Sequence, residues 1–232
     1  MKIALIAPPF VSVPPLKYGG TERMIDYLGR ELIRSGVETT LYAAGDSQTS
    51  IPLGSIWDMA LFNDPEYDHA NDREVVVGRV NERTLGLLDK DCDLVNTHDY
   101  DNPDLIERLS DLDIPVLVSI RHAPTLVIDS IYERFKSHTN IHFQCLSKLQ
   151  ADYYDPEMPY IHNGLDPEIY DSVSSVDKQN CFFSIGDMKP IKAHRTAIDL
   201  VKNDKFNREA GLSLVIAGAP IYPESIPYYE TH

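Results

Sequence analysis

No apolar stretch in these 232 residues is long enough to span a bilayer, and the opening run KIALIAPPF, behind a single lysine, is too short for the core of a secretion signal. The expectation is a cytoplasmic protein with no integral membrane segment. Basic residues are scarce as well: 21 Lys and Arg stand against 36 Asp and Glu, a formal charge of −15, and no basic run is longer than a pair. Such a surface repels phosphate backbones and anionic lipid, so nucleic acid is not an expected partner. Cysteine is limited to Cys92, Cys145 and Cys181, far apart and each among apolar neighbours. That spacing argues against a disulfide framework or a zinc motif and predicts three buried thiols. Also absent is the GxGxxG dinucleotide fingerprint. Gly19 and Gly20 are adjacent, and Asp46 follows TLYAA only after a further glycine, so a nicotinamide-dependent oxidoreductase is not expected.

What is present is a rhythm of short apolar and β-branched runs at residues 2–7, 38–44, 92–98, 115–120, 140–146, 181–186 and 212–218. They read as strands, and several are apolar at consecutive positions, as strands covered on both faces are. Helical periodicity lies between them at 21–35, 76–89, 102–110, 127–137, 147–154 and 192–203. In the first of these, Met24, Ile25, Leu28, Leu32 and Ile33 share a face, Thr21 is placed to cap the start, and Gly36 stands where a left-handed C-terminal residue is wanted. This alternation predicts an α/β fold built on a Rossmann-like, doubly wound parallel sheet. The polar, turn-rich DPEIYDSVSSVDKQN at 166–180 marks a boundary, giving domains at 1–170 and 171–232. Only strand, helix, strand and a Pro-rich tail follow. That is too little to cover both faces of a sheet, so a truncated second Rossmann-like unit is expected, completed by further chain, a partner chain or a homodimer contact.

The glycine pair between the first strand and the first helix lets backbone approach a ligand, and a helix start offers unpaired N–H groups to an anion. A plain turn is the alternative reading. Asp99 and Asp101, just past the strand ending at His98, read as capping and loop residues rather than metal ligands, and Asn163–Gly164 reads as a tight turn.

In chain order, APP…YGGTER…GVETTLYAAGDS, DLVNTHDY (93–100), VSIRHAP (118–124), IHNGLDPEIY (161–170), FSIGDMKPIKAHRTAIDLV (183–201) and LVIAGAP (214–220) resemble the family 4 glycosyltransferases. These are retaining enzymes with two Rossmann-like domains in the GT-B arrangement. The resemblance implies an N-terminal domain that receives the acceptor and a C-terminal domain that holds most of a nucleoside diphosphate sugar, with no cofactor or metal besides that co-substrate. By match of motif, Gly19 and Gly20 lie near the donor diphosphate and Lys192 falls on a diphosphate-binding lysine. His122 is the catalytic candidate facing the reacting sugar, and His98 takes a similar strand-end, substrate-binding place. Two positions depart from the pattern: Asp187 stands where the family has an arginine, leaving Lys189 to supply the missing charge, and Ala193 replaces a glycine. The paired-glutamate motif that would contact the donor does not follow LVIAGAP in this sequence. The implied activity is retaining transfer of a sugar to an acceptor hydroxyl, on a sugar or glycolipid in polysaccharide biosynthesis, the chain alone being incomplete or inactive. The rival readings are a non-catalytic carbohydrate-binding or partner subunit and a nucleotide-sugar epimerase.

Overall fold

Strand and helix periods alternate along the sequence, and the computed structural model, which describes residues 1–167, 180–203, 211–219 and 226, alternates in the same way. The chain divides into two compact units, Met1–Asp166 and Pro167–His232. The first contains β1 (Lys2–Ile6), α1 (Gly20–Arg34), β2 (Glu38–Ala44), β3 (Leu53–Trp57), α2 (Arg73–Leu87), β4 (Leu94–Thr97), α3 (Pro103–Ser110), β5 (Val116–Ser119), α4 (Leu126–Phe135), β6 (Ile141–Gln144) and α5 (Lys148–Tyr154). Its sheet has six strands in the order β3-β2-β1-β4-β5-β6, every neighbouring pair parallel. The doubly wound parallel sheet expected from the sequence is therefore the observed one. β3, LGSIW, was not expected; it is a short edge strand with a glycine in it, and such a strand carries little periodicity of its own.

Side chains alternate across β1 and separate two apolar layers. Ile3, Leu5 and Ala7 pack with Ile25 of α1 and with Leu41 and Ala43 of β2. On the other face Ala4 and Ile6 pack with Val80 of α2 and with Leu105, Ile106 and Leu109 of α3. The helix following β1 and the helix following β4 thus lie on opposite faces, so the winding reverses between these two strands and their C-terminal ends open a crevice. Coverage of both faces holds for β1 and β2 but not for β6. There one face is filled by Ile128, Ile131 and Phe135 of α4, while His142 on the other is exposed.

Within α1, Gly36 adopts the expected left-handed conformation, its N–H reaching the Ile33 carbonyl at 2.9 Å. The start differs from expectation: Gly19, at φ 152°, is the cap residue, and Thr21 lies inside the first turn. A Cβ at Gly19 would fall 2.6 Å from Cβ of Pro15, so only glycine fits this entry into the helix. The buried face is Glu22, Ile25, Asp26 and Gly29, and Ile33 is exposed. The helix is rolled so that bare Gly29 presses on Leu5, where a Cβ would sit 3.1 Å from the leucine Cδ1. Among the thiols, Cys92 and Cys145 are buried as expected, burial pushing Cys145 up to about 11. Cys181 is only half-buried, because it belongs to a strand largely open to solvent.

The second unit contains β7 (Cys181–Ile185), a 3-10 turn at Pro190–Lys192, α6 (His194–Asn203) and β8 (Ser213–Ala217), with β7 and β8 paired in parallel. The helix expected from residue 192 begins at His194 because Ala193 is left-handed, φ 56°. That is the position where the resembling family carries glycine, and an alanine there costs about 1–2 kcal/mol of backbone strain. Most of the expected boundary segment, 168–179, and the tail at 220–232 apart from Ile226, lie outside the described residues. Among the described residues no helix is long and apolar enough to cross a membrane.

Leu109 is fully buried in the layer beneath α3. Leu109→Ala is expected to lower unfolding stability by about 2–5 kcal/mol, read from the midpoint of a urea titration.

Candidate functional site

Because all six strands point the same way, the loops after β1, β4 and β5 emerge on one edge, beside the crevice at the winding reversal. The loop after β1 delivers Gly19 and Gly20 to the start of α1. A Cβ at Gly20 would meet nothing within 4 Å, so this backbone is open to approach. The loop after β4 comes beside it: burial raises the pKa of the Tyr100 hydroxyl, and the neighbouring Thr21 side chain acts the other way. Glu22 is buried in the same first turn, its carboxyl raised by burial and held down in part by its own backbone N–H. The helix start therefore already carries a carboxyl group of the protein's own.

His98 closes β4, its N–H bonded to the Ile6 carbonyl at 2.9 Å, and its side chain is fully buried. Nδ1 accepts a hydrogen bond from Arg121 Nε at 3.2 Å. The ring is thus neutral with its proton on Nε2, and Nε2 has no partner among the described residues. Burial, then the nearby Arg121 charge, hold the His98 pKa well below the usual imidazole range. Arg121 also donates from Nη1 to Asn163 Oδ1 at 2.7 Å. Asn163 reaches it because residues 159–161 run alongside the end of β6, with Cys145 N–H bonded to the Pro159 carbonyl and Ile161 N–H to the Cys145 carbonyl. No turn forms at Asn163–Gly164, contrary to expectation; the asparagine side chain is spent on the guanidinium instead. His122 is exposed on the rim, with its carbonyl accepting from Gln150 Nε2 at 2.7 Å. Its Nδ1 lies 2.9 Å from the Ala123 carbonyl, which can only accept. In the neutral ring Nδ1 therefore carries the proton and the Nε2 lone pair is free.

Beneath these residues lies a buried amide network. Asn102 caps α3, its Oδ1 accepting from Leu105 N–H at 3.1 Å, while its Nδ2 donates to Asp99 at 2.7 Å and to Asn81 Oδ1 at 3.0 Å. The cap is thus Asn102, and Asp99 is a loop acceptor. Burial raises the Asp99 carboxyl to about 7 against the hydrogen bond from Asn102. One flank of the edge is aromatic. Phe10, Phe62 and His69 stand with ring centroids 5.3 to 5.7 Å apart, and the Arg73 guanidinium lies 5.5 Å over Phe10 and 3.8 Å from Asp101. Among the described residues no group of three or more His, Cys, Asp or Glu is placed to hold a metal ion.

Lys189 and Lys192 belong to the second unit. Asp187 is buried, and Lys189 Nζ lies 3.4 Å from its carboxylate. The charge reversal at Asp187 is thereby turned inward onto Lys189. His194 secures the loop, its Nδ1 accepting from Ser184 Oγ at 2.9 Å and its Nε2 donating to the Asp187 carbonyl at 3.2 Å. Lys192 is exposed; a Cβ on Gly186 would touch its Cγ at 3.4 Å.

Of the residues expected at a site, Gly19, Gly20, His98 and His122 lie on the strand-end edge of the first unit, while Lys189 and Lys192 share one loop of the second. Sequence reasoning missed Arg121, Tyr100, Glu22 and Asn163. Arg121 is legible as a cation just beyond an apolar strand, beside the candidate His122. Glu22 and Tyr100 carry no comparable sign.

No family model matches the chain, and no curated protein does. Solved structures do. The catalytic domain of starch synthase IV from Arabidopsis thaliana, bound to ADP and acarbose, superposes with a TM-score of 0.70 at 12% identity, over 99% of this chain and 71% of that one. AviGT4, a glycosyltransferase involved in avilamycin A biosynthesis, gives 0.56 at 20% identity, over 97% and 58%. An α-glucosyltransferase in complex with UDP gives 0.52 at 17%, over 100% and 61%. The chain spans less than two thirds of the length of the last two. At these identities the likeness establishes a shared fold, the Rossmann-like architecture of GT-B glycosyltransferases.

Asp99 makes stability depend on pH. Its carboxyl titrates near 7 in the folded chain and near 3.8 when unfolded, so between these values the native state binds the extra proton and stability falls as pH rises. Asp99→Asn keeps an acceptor for Asn102 and removes the titration. Its stability relative to wild type is expected to grow by on the order of 1–4 kcal/mol between pH 4 and pH 8, measured by denaturant unfolding across that range.

Proposed function

We propose that the chain is a retaining glycosyltransferase of the family 4 type, which moves a sugar from a nucleoside diphosphate sugar to an acceptor hydroxyl. One observation carries the reading. The first-unit residues singled out by the motif resemblance gather on one strand-end edge, at the winding reversal, in a fold shared with three solved glycosyltransferases. Ligands of doubly wound sheets bind at that edge because helix starts and strand-end side chains meet there.

In this reading the acceptor sugar lies at the edge of the first unit. The Nε2 lone pair of His122 accepts a hydrogen bond from a sugar hydroxyl and orients it. In the first unit the backbone N–H groups at Gly19 and Gly20 are open to a phosphate; in the second unit, taken by itself, Lys192 is the phosphate-binding candidate, and no carboxylate of the described residues neutralises its charge. The transition state is oxocarbenium-like, so catalysis consists of holding the acceptor oxygen near the anomeric carbon while donors stabilise the leaving group. Burial raises the Glu22 pKa, which fits this scheme: when protonated, the carboxyl no longer repels a diphosphate at the helix start and can donate a hydrogen bond to it.

The test is release of nucleoside diphosphate from a panel of nucleotide sugars with and without sugar acceptors, with the anomeric configuration of the product read by NMR. Acceptor-dependent release with retention is the expected result. Sugar binding without release would instead favour a non-catalytic carbohydrate-binding subunit, and conversion of the nucleotide sugar without acceptor an epimerase. His122→Gln is expected to lower kcat by up to about 10²-fold, through lost orientation of the sugar hydroxyl. Lys192→Ala should weaken nucleoside diphosphate binding about tenfold, and an unchanged affinity by calorimetry removes Lys192 from the site.

A further inference from the structure

In a chain with this excess of acid, an arginine withdrawn from solvent ordinarily pairs with a carboxylate. Arg121 does not. Its protein acceptors among the described residues are both neutral, His98 Nδ1 at 3.2 Å and Asn163 Oδ1 at 2.7 Å, and Nη2 donates to none. The guanidinium is half-buried, and burial lowers its pKa with only the Tyr100 hydroxyl acting the other way. Withdrawing an unpaired cation from water is unfavourable unless something supplies the anion. The surroundings hold it in this state. His98, fully buried, stays neutral and so keeps accepting from Nε, and Asn163 fixes Nη1 from the other side. With Nε and one N–H of Nη1 engaged by neutral groups, the free donors lie on Nη1 and Nη2, at the edge where strand-end loops meet ligands. A purely structural bolt between the β5 loop and residue 163 needs no charge; a neutral amide could do it at lower desolvation cost.

We propose that Arg121 is the phosphate receptor of the first unit, held ready by His98 and Asn163 to grip a phosphate group of the substrate with its Nη1 and Nη2 edge. Phosphate suits this arrangement because several of its oxygens can use both nitrogens at once. The assignment rests on the glycosyl-transfer reading only in taking the phosphate to be borne by a sugar substrate, and two sources share the chemistry: the donor diphosphate and a phosphorylated acceptor sugar.

The experiment is isothermal titration of the full chain, as wild type, Arg121→Gln, Arg121→Lys and Asn163→Ala, with UDP, ADP, glucose 6-phosphate and neutral glucose, each protein first checked for a cooperative thermal transition. Wild type is expected to bind at least one phosphate ligand. Arg121→Gln should weaken that binding about 10–100-fold while leaving neutral glucose unchanged. Arg121→Lys should recover part of it, and Asn163→Ala should weaken it less than Arg121→Gln, providing a second readout if the glutamine variant does not fold. A loss confined to UDP or ADP identifies the donor diphosphate; a loss confined to glucose 6-phosphate identifies a phosphorylated acceptor. Wild-type-like affinity of Arg121→Gln for every phosphate ligand overturns the proposal, as does the absence of any phosphate binding by wild type. Arg121-dependent phosphate binding in a chain that transfers no sugar would overturn the glycosyltransferase reading alone.

Discussion

Parallel strands cannot be joined by hairpins. Each must be followed by a crossover that returns the chain to the opposite end of the sheet, and the right-handedness of that crossover decides which face it covers. In the first unit this constraint does two things at once. It places every strand's C-terminal end on one edge, and it sends α1 and α3 to opposite faces because the chain winds away from β1 in one direction and away from β4 in the other. The crevice between them follows from topology before any side chain is considered. The polar residues that occupy it, from His98 and Tyr100 to Arg121, are the ones the chain places immediately after its apolar strands.

A second consequence is a polar foundation under that edge. The strand-end side chains bond to one another: Asn96 Nδ2 reaches Ser119 Oγ at 2.8 Å and the Leu117 carbonyl at 2.9 Å, while Asn81, Asn102 and Asp99 form a connected set under the β4 loop. Buried groups of this kind are tolerable only when paired, and the pairing fixes the loops that carry them. The two histidines of the edge are held in opposite states by the same logic. His98 is buried and lends its acceptor nitrogen to Arg121, whereas His122 spends its donor on a neighbouring carbonyl and leaves its acceptor outward.

The fold was legible because parallel strands are buried on consecutive positions and helices between them keep their own period; strand runs such as KIALI and ETTLYAA stood out on composition alone. β3 was not, since an edge strand with one paired side and a glycine has no need of a continuous apolar run. Threonine generally serves as a cap, as expected at Thr21, but the tight passage against Pro15 demands glycine and moves the cap to Gly19. The site was legible where it coincided with motif residues, as at Gly19, His98 and His122. It was not legible at Arg121, Asn163 and Glu22, whose roles depend on contacts between residues 23 to 42 positions apart or on a burial that the helical period alone does not announce. Asn163–Gly164 shows the limit most clearly: a local preference for a turn gave way to one distant guanidinium.

The segment that leaves the first unit is stitched down on its way out. Residues 159–161 bond to Cys145 beside β6, Asn163 holds Arg121, and Asp166 lies 3.5 Å from Nη2 of Arg30 on α1. The backbone that continues into Pro167 is therefore the same stretch of chain that aims the Arg121 guanidinium. The exit is thus anchored twice, by Arg121 at Asn163 and by Arg30 at Asp166, so an arginine beyond β5 and an arginine of α1 hold the same short stretch of chain.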